Sequence, residues 1–289
     1  MVLVARVGAN AGKLQIINEK CGITDNALII TAEKVPAQYI YYYLQHFNLN
    51  RLIFGSGQPL ITGGMLKKVV IRLGRDTEQN KITKLLSLLD ERIATQSRII
   101  EDLKKLRGAI AEKLFNVTDG DTLPLSEVCD IHKGEQVNGD CLSEAGEYYV
   151  MNGGVEPSGY YDQYNTPANT ISISEGGNSC GYIQYNRKAF WSGGHCYTLI
   201  NIQANVCELY LYHYLKSQEK SIMRLRIGSG LPNIQKKDLE KFSILLPSIA
   251  KQKSISAFLE AIESKITNEE LLQRRFWKEK QYLLRQMFI

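Results

Sequence analysis

The sequence is poor in the features that would make it a self-contained catalyst, a secreted protein or a membrane protein. Its 289 residues include four histidines and six cysteines (Cys21, Cys129, Cys141, Cys180, Cys196 and Cys207). The cysteines are scattered, with no CxxC pair and no Cys/His spacing that suits zinc, so they read as reduced cytosolic thiols. No apolar run reaches the roughly 18 residues that cross a bilayer. Arg6 breaks the apolar N-terminus where a signal peptide would continue. A Gly-Lys-Ser/Thr phosphate loop, a GxSxG nucleophile turn and an HExxH helix are all missing. So is the Asn/Asp-Pro-Pro-aromatic motif of amino-methyltransferases. His195 and Cys196 are adjacent, but neighbours on a strand point to opposite faces, so they cannot pair locally as base and nucleophile. The expectation is a chain with no metal, no cofactor and no chemistry of its own.

What is present is charge in chosen places. The net charge is only +5, and 44% hydrophobic with 22% charged residues is ordinary for a globular protein. Yet 216–241 holds seven basic residues against three acidic ones, and 43–72 holds four against none. Between those zones, 121–215 holds eleven acids against three bases. Such a distribution suits a polyanion gripped at particular spots, where released counterions supply affinity. The plainer alternative is a solvated charged surface with no partner.

The two basic zones contain the same loop. "FGSGQPLI" at 54–61 and "IGSGLPNI" at 227–234 share Gly-Ser-Gly-x-Pro-x-Ile at an offset of 173. At that offset "VVIRL" (69–73) lies over "FSILL" (242–246), Gln79 over Gln252, and Leu114-Phe115 over Met287-Phe288. With small slips, "YIYYYL" (39–44) matches "YLYHYL" (210–215), and Ala11-Gly12 matches Cys180-Gly181. The repeating unit is domain-sized, so a whole module is duplicated. The second copy opens near Leu123, whereas the first has no counterpart to the residues that precede "TISISEGGNSCGYI" (170–183).

Each copy ends in a long helical pattern. Ile82, Leu86, Leu89, Ile93, Ile100, Leu103, Ile110 and Leu114 recur at alternating steps of four and three, interrupted by Gln96 and Arg107. In matching frame stand Ile255, Leu259, Ile262, Ile266, Phe276, Leu283 and Met287, interrupted by Glu269, Gln273 and Lys280. A seam of period 3.5 is that of a coiled coil, and the two helices are best paired with each other as a rod of roughly 36 residues, about 55 Å. Two core helices of a larger bundle are the alternative. Between them, "YYVMN", "NTISIS", "GYIQY" and "CYTLINI" read as short strands, and helices are expected at 37–52 and about 206–225. The predicted organisation is a partial module at 1–75, a helix at 76–117, a full module at 118–247 and a helix at 248–289.

Candidate contacts follow from loop chemistry. Around the second Gly-Ser-Gly, accessible amides and Arg224, Arg226, Ser229, Lys236 and Lys237 could surround a phosphate; a tight turn is the structural alternative. Arg51, Ser56, Lys67 and Lys68 flank the first. "SEGGNSCGYIQY" (174–185) is a Gly-rich turn that could bring Asn178 or Ser179 to a phosphate or base edge, or serve only as a hairpin. "NGGVEPSGYYDQYN" (152–165) sets Asn152 and Tyr160 among glycines, where tyrosines can stack on bases or pack into the core.

The order "VCDIHKGEQV", "VMNGGVEPSGYYDQYN", "ISISEGGNSCGYIQYNRKAFWSGGHCYTL", "LYLYHYLKS", "RIGSGLPNIQKKDLEKFSILLPSIAKQKSI" and a closing "LLRQMF" resembles the specificity subunits of type I restriction-modification enzymes. The resemblance covers almost all of 125–289, and 2–115 repeats its later two thirds. It implies an α/β fold: two mixed α/β target-recognition domains, the first incomplete, separated by an antiparallel two-helix coiled-coil rod. It also implies a cytoplasmic, non-catalytic protein whose partners are double-stranded DNA, DNA methyltransferase subunits and, through the complex, restriction subunits. Lys133 joins Arg224, Arg226, Lys236 and Lys237 as an expected phosphate contact, while Asn152, Tyr160 and Asn178 are the expected base readers. A scaffold that assembles partners without reading DNA in its first domain is the alternative, and a homodimer that completes that domain is open.

Overall fold

A computed structural model describes residues 1–55, 57–228, 230 and 232–288. Ser56 and Ser229, both expected near phosphate, lie outside the described residues. The chain folds as two compact units, residues 1–102 with 266–289 and residues 103–265, and each long helix runs through both.

In unit 1, strands β1 (Val2–Ala5), β2 (Leu14–Ile16) and β3 (Ala27–Ile30) form an antiparallel sheet in the order β2-β1-β3. Helix α1 (Ala37–Phe47) packs Ile40 and Leu44 against Val4, Leu49 and Ile61. Pro36 caps its start, where a missing N–H costs nothing, and Asn48 ends it in the left-handed region at φ 60°. A short helix α2 (Gly63–Leu66) follows, capped by the Thr62 hydroxyl, and then the long helix α3 (Asp76–Asn116).

Unit 2 continues with β4 (Asp121–Pro124), α4 (Leu125–Val128), β5 (Asp130–Lys133), β6 (Tyr148–Met151), β7 (Gly159–Tyr161) and β8 (Thr170–Ser174). After them come β9 (Ile183–Asn186), β10 (Trp191–Ser192), β11 (Cys196–Ile200), α5 (Glu208–Ser217) and α6 (Glu219–Met223). Helix α7 (Lys236–Glu240), β12 (Ser243–Leu246) and the long helix α8 (Ile249–Met287) close the chain. The helix read at about 206–225 is thus two, broken at Gln218. The sheets run β5-β11-β8-β9, β10-β6-β7 and β12-β4. Every residue of β8 is buried, so its serines need partners. Asn186 Nδ2 donates to Ser172 Oγ at 2.8 Å, and Ser174 Oγ donates to the Gly153 carbonyl at 2.6 Å. Around β8 and β11 the core gathers Tyr210, Leu211, Leu215 and Ile222.

The duplication survives as geometry. Strands β2, β1 and β3 stand as β9, β8 and β11 do, in the same order and the same antiparallel sense. Phe288 meets Tyr39 and Tyr43 edge-on at 5.2 and 5.6 Å, and Phe115 meets Tyr210 and Tyr214 at 5.7 and 5.3 Å. The tyrosine hydroxyls then reach the same backbone. Tyr39 and Tyr43 donate to the carbonyls of Arg72 and Val70, Tyr210 and Tyr214 to those of Leu245 and Ser243. Despite that correspondence, 70–73 is not a strand whereas Ser243–Leu246 is. A strand needs a partner for its N–H and C=O groups, and the partner of β12 is β4, which has no counterpart among the described residues of unit 1.

The long helices pair antiparallel within each unit. In unit 1 Leu86, Ile93, Ile100, Ile266 and Leu284 are buried, and the polar interruptions of the seam contact the opposite helix. Gln96 donates to the Glu269 carbonyl at 3.2 Å and to its carboxylate, and Gln273 Nε2 donates to Ser97 Oγ at 2.6 Å. Lys280, only 3% exposed, meets Asp90 at 2.6 Å, and the Tyr42 hydroxyl donates to the same carboxylate at 3.0 Å. In unit 2 the equivalent ion pair is Arg107 with Glu263. A buried ammonium is tolerable only while paired. Asp90→Ala is therefore expected to cost about 3 kcal/mol in urea unfolding, less than the largest buried-pair effects because Asp90 is itself partly exposed. Adding Lys280→Met should recover most of that loss; equal costs for the single and double variants would show that the pair is not what holds the seam.

Candidate nucleic-acid interface

The Gly-rich loop that follows β8 is the centre of unit 2's loop surface because four other segments are tied to it or to its neighbours. Gly177 N donates to the Pro232 carbonyl at 2.9 Å, and Ile234 N donates to that of Glu175 at 2.8 Å. Glu175 N donates to the His195 carbonyl at 2.9 Å, His195 N to Asn152 Oδ1 at 3.1 Å, and Glu135 N to the Ser192 carbonyl at 2.8 Å. Gly177 takes φ 76°, which an L side chain resists. Gly193 admits nothing larger, since a Cβ there would lie 2.6 Å from Asn152 Oδ1. Asn152 is thus a brace, its carbonyl oxygen committed to the backbone.

Lys133 is likewise committed. Its ammonium lies 2.6 Å from Glu175 Oε1, which also accepts from the Tyr197 hydroxyl at 3.0 Å. Glu175 is 7% exposed; its second oxygen lies 3.6 Å from His195 Nδ1 and is buried without a hydrogen bond. Burial and the adjacent carboxylate push the Tyr197 phenol well above its usual range, so it stays a donor. Asn178, at the tip of the loop, is exposed, as are Arg226, Lys236 and Lys237 around the returning 226–237 segment. Lys236 lies 3.7 Å from Glu240, one turn along α7. Arg224 faces elsewhere, lining a groove of about 630 Å³ with Arg107, His213, Lys216 and Lys220. Tyr160 is separate again: it is half-buried on β7, where its backbone pairs with Ser143 and Tyr149. The structure therefore gathers Lys133, Asn152 and Asn178 with the cations at 226, 236 and 237, and sets Arg224 and Tyr160 apart.

Unit 1 repeats three of these bonds. Gly8 N donates to the Pro59 carbonyl at 2.9 Å, Ile61 N to that of Arg6 at 2.9 Å, and Arg6 N to that of Asn26 at 2.8 Å. Phe54 bridges Leu60 as Ile227 bridges Asn233, and Gly55 and Gly228 take φ 100° and 93°. Both bridges end in an exposed apolar tip, Phe54 at 49% and Ile227 at 47%. Arg51, Lys67 and Lys68 are exposed, and Arg51 holds the place of Arg224 at the offset of 173. One substitution is chemical rather than conservative: Arg6 stands where unit 2 has Glu175. Its Nε is buried without a partner, and its terminal nitrogen donates to the Asp25 carbonyl at 3.3 Å. Sequence reasoning missed Glu175, Tyr197 and Arg6. Aligning "ISISEGGNSCG" with "VLVARVGANAG" by the loop glycines was the available signal.

The geometry is that of a duplicated module with basic, loop-built surfaces in both copies. A family model described as the type I restriction modification DNA specificity domain matches residues 2–105 and 119–274. The chain belongs to that family. Over 152 residues it is 35% identical to a protein named as a type I specificity subunit in Mycoplasma pneumoniae, covering 52% of this chain and 40% of the relative. Its counterpart in Mycoplasma genitalium is 33% identical over 158 residues, 54% of this chain and 41% of the relative. Both alignments span only about two fifths of the relatives' length. The crystal structure of a type I restriction-modification S subunit from M. genitalium superposes with a TM-score of 0.74 at 21% identity, covering 100% of this chain and 82% of that one. That likeness is one of fold.

The thiols yield a direct check on the non-catalytic reading. Cys196 is 2% exposed and burial pushes its pKa up to about 11; burial carries Cys129 to about 12. Both raised values mean protonated thiols at pH 7, and the thiolate fraction grows only as pH climbs toward those values. Alkylation of the native protein at pH 7, read by mass spectrometry, should label the exposed Cys21 and Cys141 and spare Cys129 and Cys196. Rapid neutral labelling of Cys196 would reopen a nucleophilic role.

Proposed function

We infer that this chain is the DNA-reading subunit of a type I restriction-modification system. In this reading, loops of unit 2 and, in reduced form, unit 1 read parts of a split duplex site. The observation that carries it is the repeated loop crossing. One backbone brace, built twice, presents exposed cations in both units while the side chain at its base changes from carboxylate to guanidinium. Phosphate contact falls to Arg226, Lys236 and Lys237 in unit 2 and to Arg51, Lys67 and Lys68 in unit 1. Base discrimination falls to Asn178 at the exposed tip of the loop, an amide suited to the adenine N6/N7 edge. Methyltransferase subunits would supply the chemistry and bind restriction subunits in turn, in the cytoplasm, and this chain would need no cofactor. The buried, protonated thiol of Cys196 supports a non-catalytic role.

Selection from a random duplex library, by the chain alone and with its methyltransferase partner, tests the reading. A two-part motif with a fixed gap is the expected result, and no enrichment in either setting would refute it. Lys236→Ala and Lys237→Ala should each weaken binding to all sequences alike and lower the salt slope by about one. Asn178→Ala should instead relax one position of the motif, at about 1–3 kcal/mol of discrimination.

A further inference from the structure

We propose that one face of the β10-β6-β7 sheet in unit 2 is a docking site for an arginine-rich protein segment, held by aromatic rings and the carboxylates around them. This goes beyond the DNA-reading proposal and does not depend on it.

Register and ring contacts bring four aromatic side chains together on that face. Residues directly opposite in a β pair share a face, and Tyr148 stands opposite Tyr161. Trp191 pairs with Val150, two residues along from Tyr148 and therefore on the same side. Tyr161 meets Trp191 edge-on at 5.1 Å and 88°, and Tyr164 reaches Tyr148 at 5.0 Å. The alternate residues serve the other side, where Tyr149 stacks on Phe190 at 5.5 Å and packs with Met151 and Cys196. Val150 is fully buried, but Tyr148, Tyr161 and Trp191 keep part of their surface in water, and Tyr164 is 54% exposed. The indole of Trp191 is fixed in place, its N–H donating to the Glu135 carbonyl at 2.8 Å.

Charge decides what such a face can hold. Residues 134–186 carry seven acidic residues and not one Lys, Arg or His. Three of the acids are tied to the rings: Glu147 precedes Tyr148, Asp162 follows Tyr161, and Glu135 supplies the carbonyl that holds Trp191. All three are exposed, and among the described residues none makes an ion pair. The Glu147 carboxylate holds the Tyr148 phenol above its usual range, so that ring stays neutral. The cations that border the span in sequence, Lys133 and Arg187, are engaged with Glu175 and Glu260, and Lys188 stands exposed beyond it. A field of this sign repels a phosphate backbone and attracts a polycation. A guanidinium stacks flat on an aromatic ring while its N–H groups reach flanking carboxylates. An extended chain presents alternate side chains on one side about every 7 Å. Repeated arginines on such a chain meet several rings and carboxylates at once, which a single small cation does not.

The probe is a fluorescein-labelled Gly-Arg repeat peptide added to the full chain and followed by anisotropy. Binding is expected, with slower hydrogen exchange of the amides at 148–151 and 159–161. Tyr164→Ala, at an exposed position, should weaken it by about two- to fivefold. Glu147→Gln with Asp162→Asn should weaken it further, whereas Asp119→Asn with Asp121→Asn, exposed acids outside the span, should leave it unchanged. A Gly-Lys repeat should bind less tightly, because the flat stacking is lost. Absence of binding overturns the proposal, as does binding that survives the three changes on the face or protects other amides instead. So does spermidine binding as tightly as the peptide, because charge alone would then suffice and a polyamine would be the occupant.

Discussion

The seam between α3 and α8 is the constraint on which both units depend. Neither helix belongs to one globule, so the register in which they slide past each other fixes what each globule can pack against. A purely apolar seam would tolerate slippage by a heptad. This one is interrupted by polar groups that meet specific groups of the opposite helix: Lys280 with Asp90, Gln96 with Glu269, Gln273 with Ser97, and Arg107 with Glu263. A shift would strand a buried ammonium and a buried amide, at a cost no apolar contact offsets. The anchoring extends outward, since Tyr42 of α1 donates to Asp90 and lies beside the Lys280 ammonium, 5.5 Å from its ring centre. In unit 1 the seam and the globule are therefore one hydrogen-bonded piece.

At the helix ends, the aromatic contacts carry the same logic into the sheets. Phe288 and Phe115 each wedge between two tyrosines whose hydroxyls hold a segment of backbone at a set distance. Substituting either phenylalanine would loosen a strand or strand-like segment, because the tyrosine rings would lose the packing that aims their hydroxyls. The arrangement explains why two tyrosines recur four residues apart in each copy. Residues spaced so on a helix share a face, and here that face serves the end of a long helix and the edge of a sheet together.

Much of this was legible in the sequence, for identifiable reasons. The period of 3.5 in α3 and α8 and the alternation in "TISIS" and "CYTLI" are local signals, and the elements formed where those signals lie. The duplicated Gly-Ser-Gly was legible because positive φ at Gly55 and Gly228 leaves little choice of residue; a Cβ on Gly55 would come within 2.7 Å of the Gln58 carbonyl. Less visible was whatever depends on a partner from elsewhere in the chain. Residues 69–73 look as strand-forming as 242–246, yet pairing is decided by β4. Lys133 and Asn152 read as free polar groups suited to DNA, yet Glu175 and the 193–195 turn claim them, because only the folded topology brings positions 133, 152, 175 and 195 together.

The reversal between Arg6 and Glu175 gains its meaning from what surrounds it. All the bonds that brace the two loops at those positions run from backbone to backbone: 6 to 26 and 61 in one unit, 175 to 195 and 234 in the other. Backbone bonds do not depend on which side chain is present, so the loop keeps its path whether a carboxylate or a guanidinium stands at its base. The side chain can then change sign without a conformational cost, provided its own charge is met locally. Lys133 and Tyr197 meet it in unit 2. Among the described residues of unit 1, no strand other than β1 lies beside β3 to bring a lysine to that place. A guanidinium, more weakly hydrated than an ammonium and able to donate to a carbonyl such as that of Asp25, is the charge that site can hold. The path of the loop and the charge at its base are therefore set by different forces: the backbone bonds fix the one, and the groups that surround the side chain fix the other.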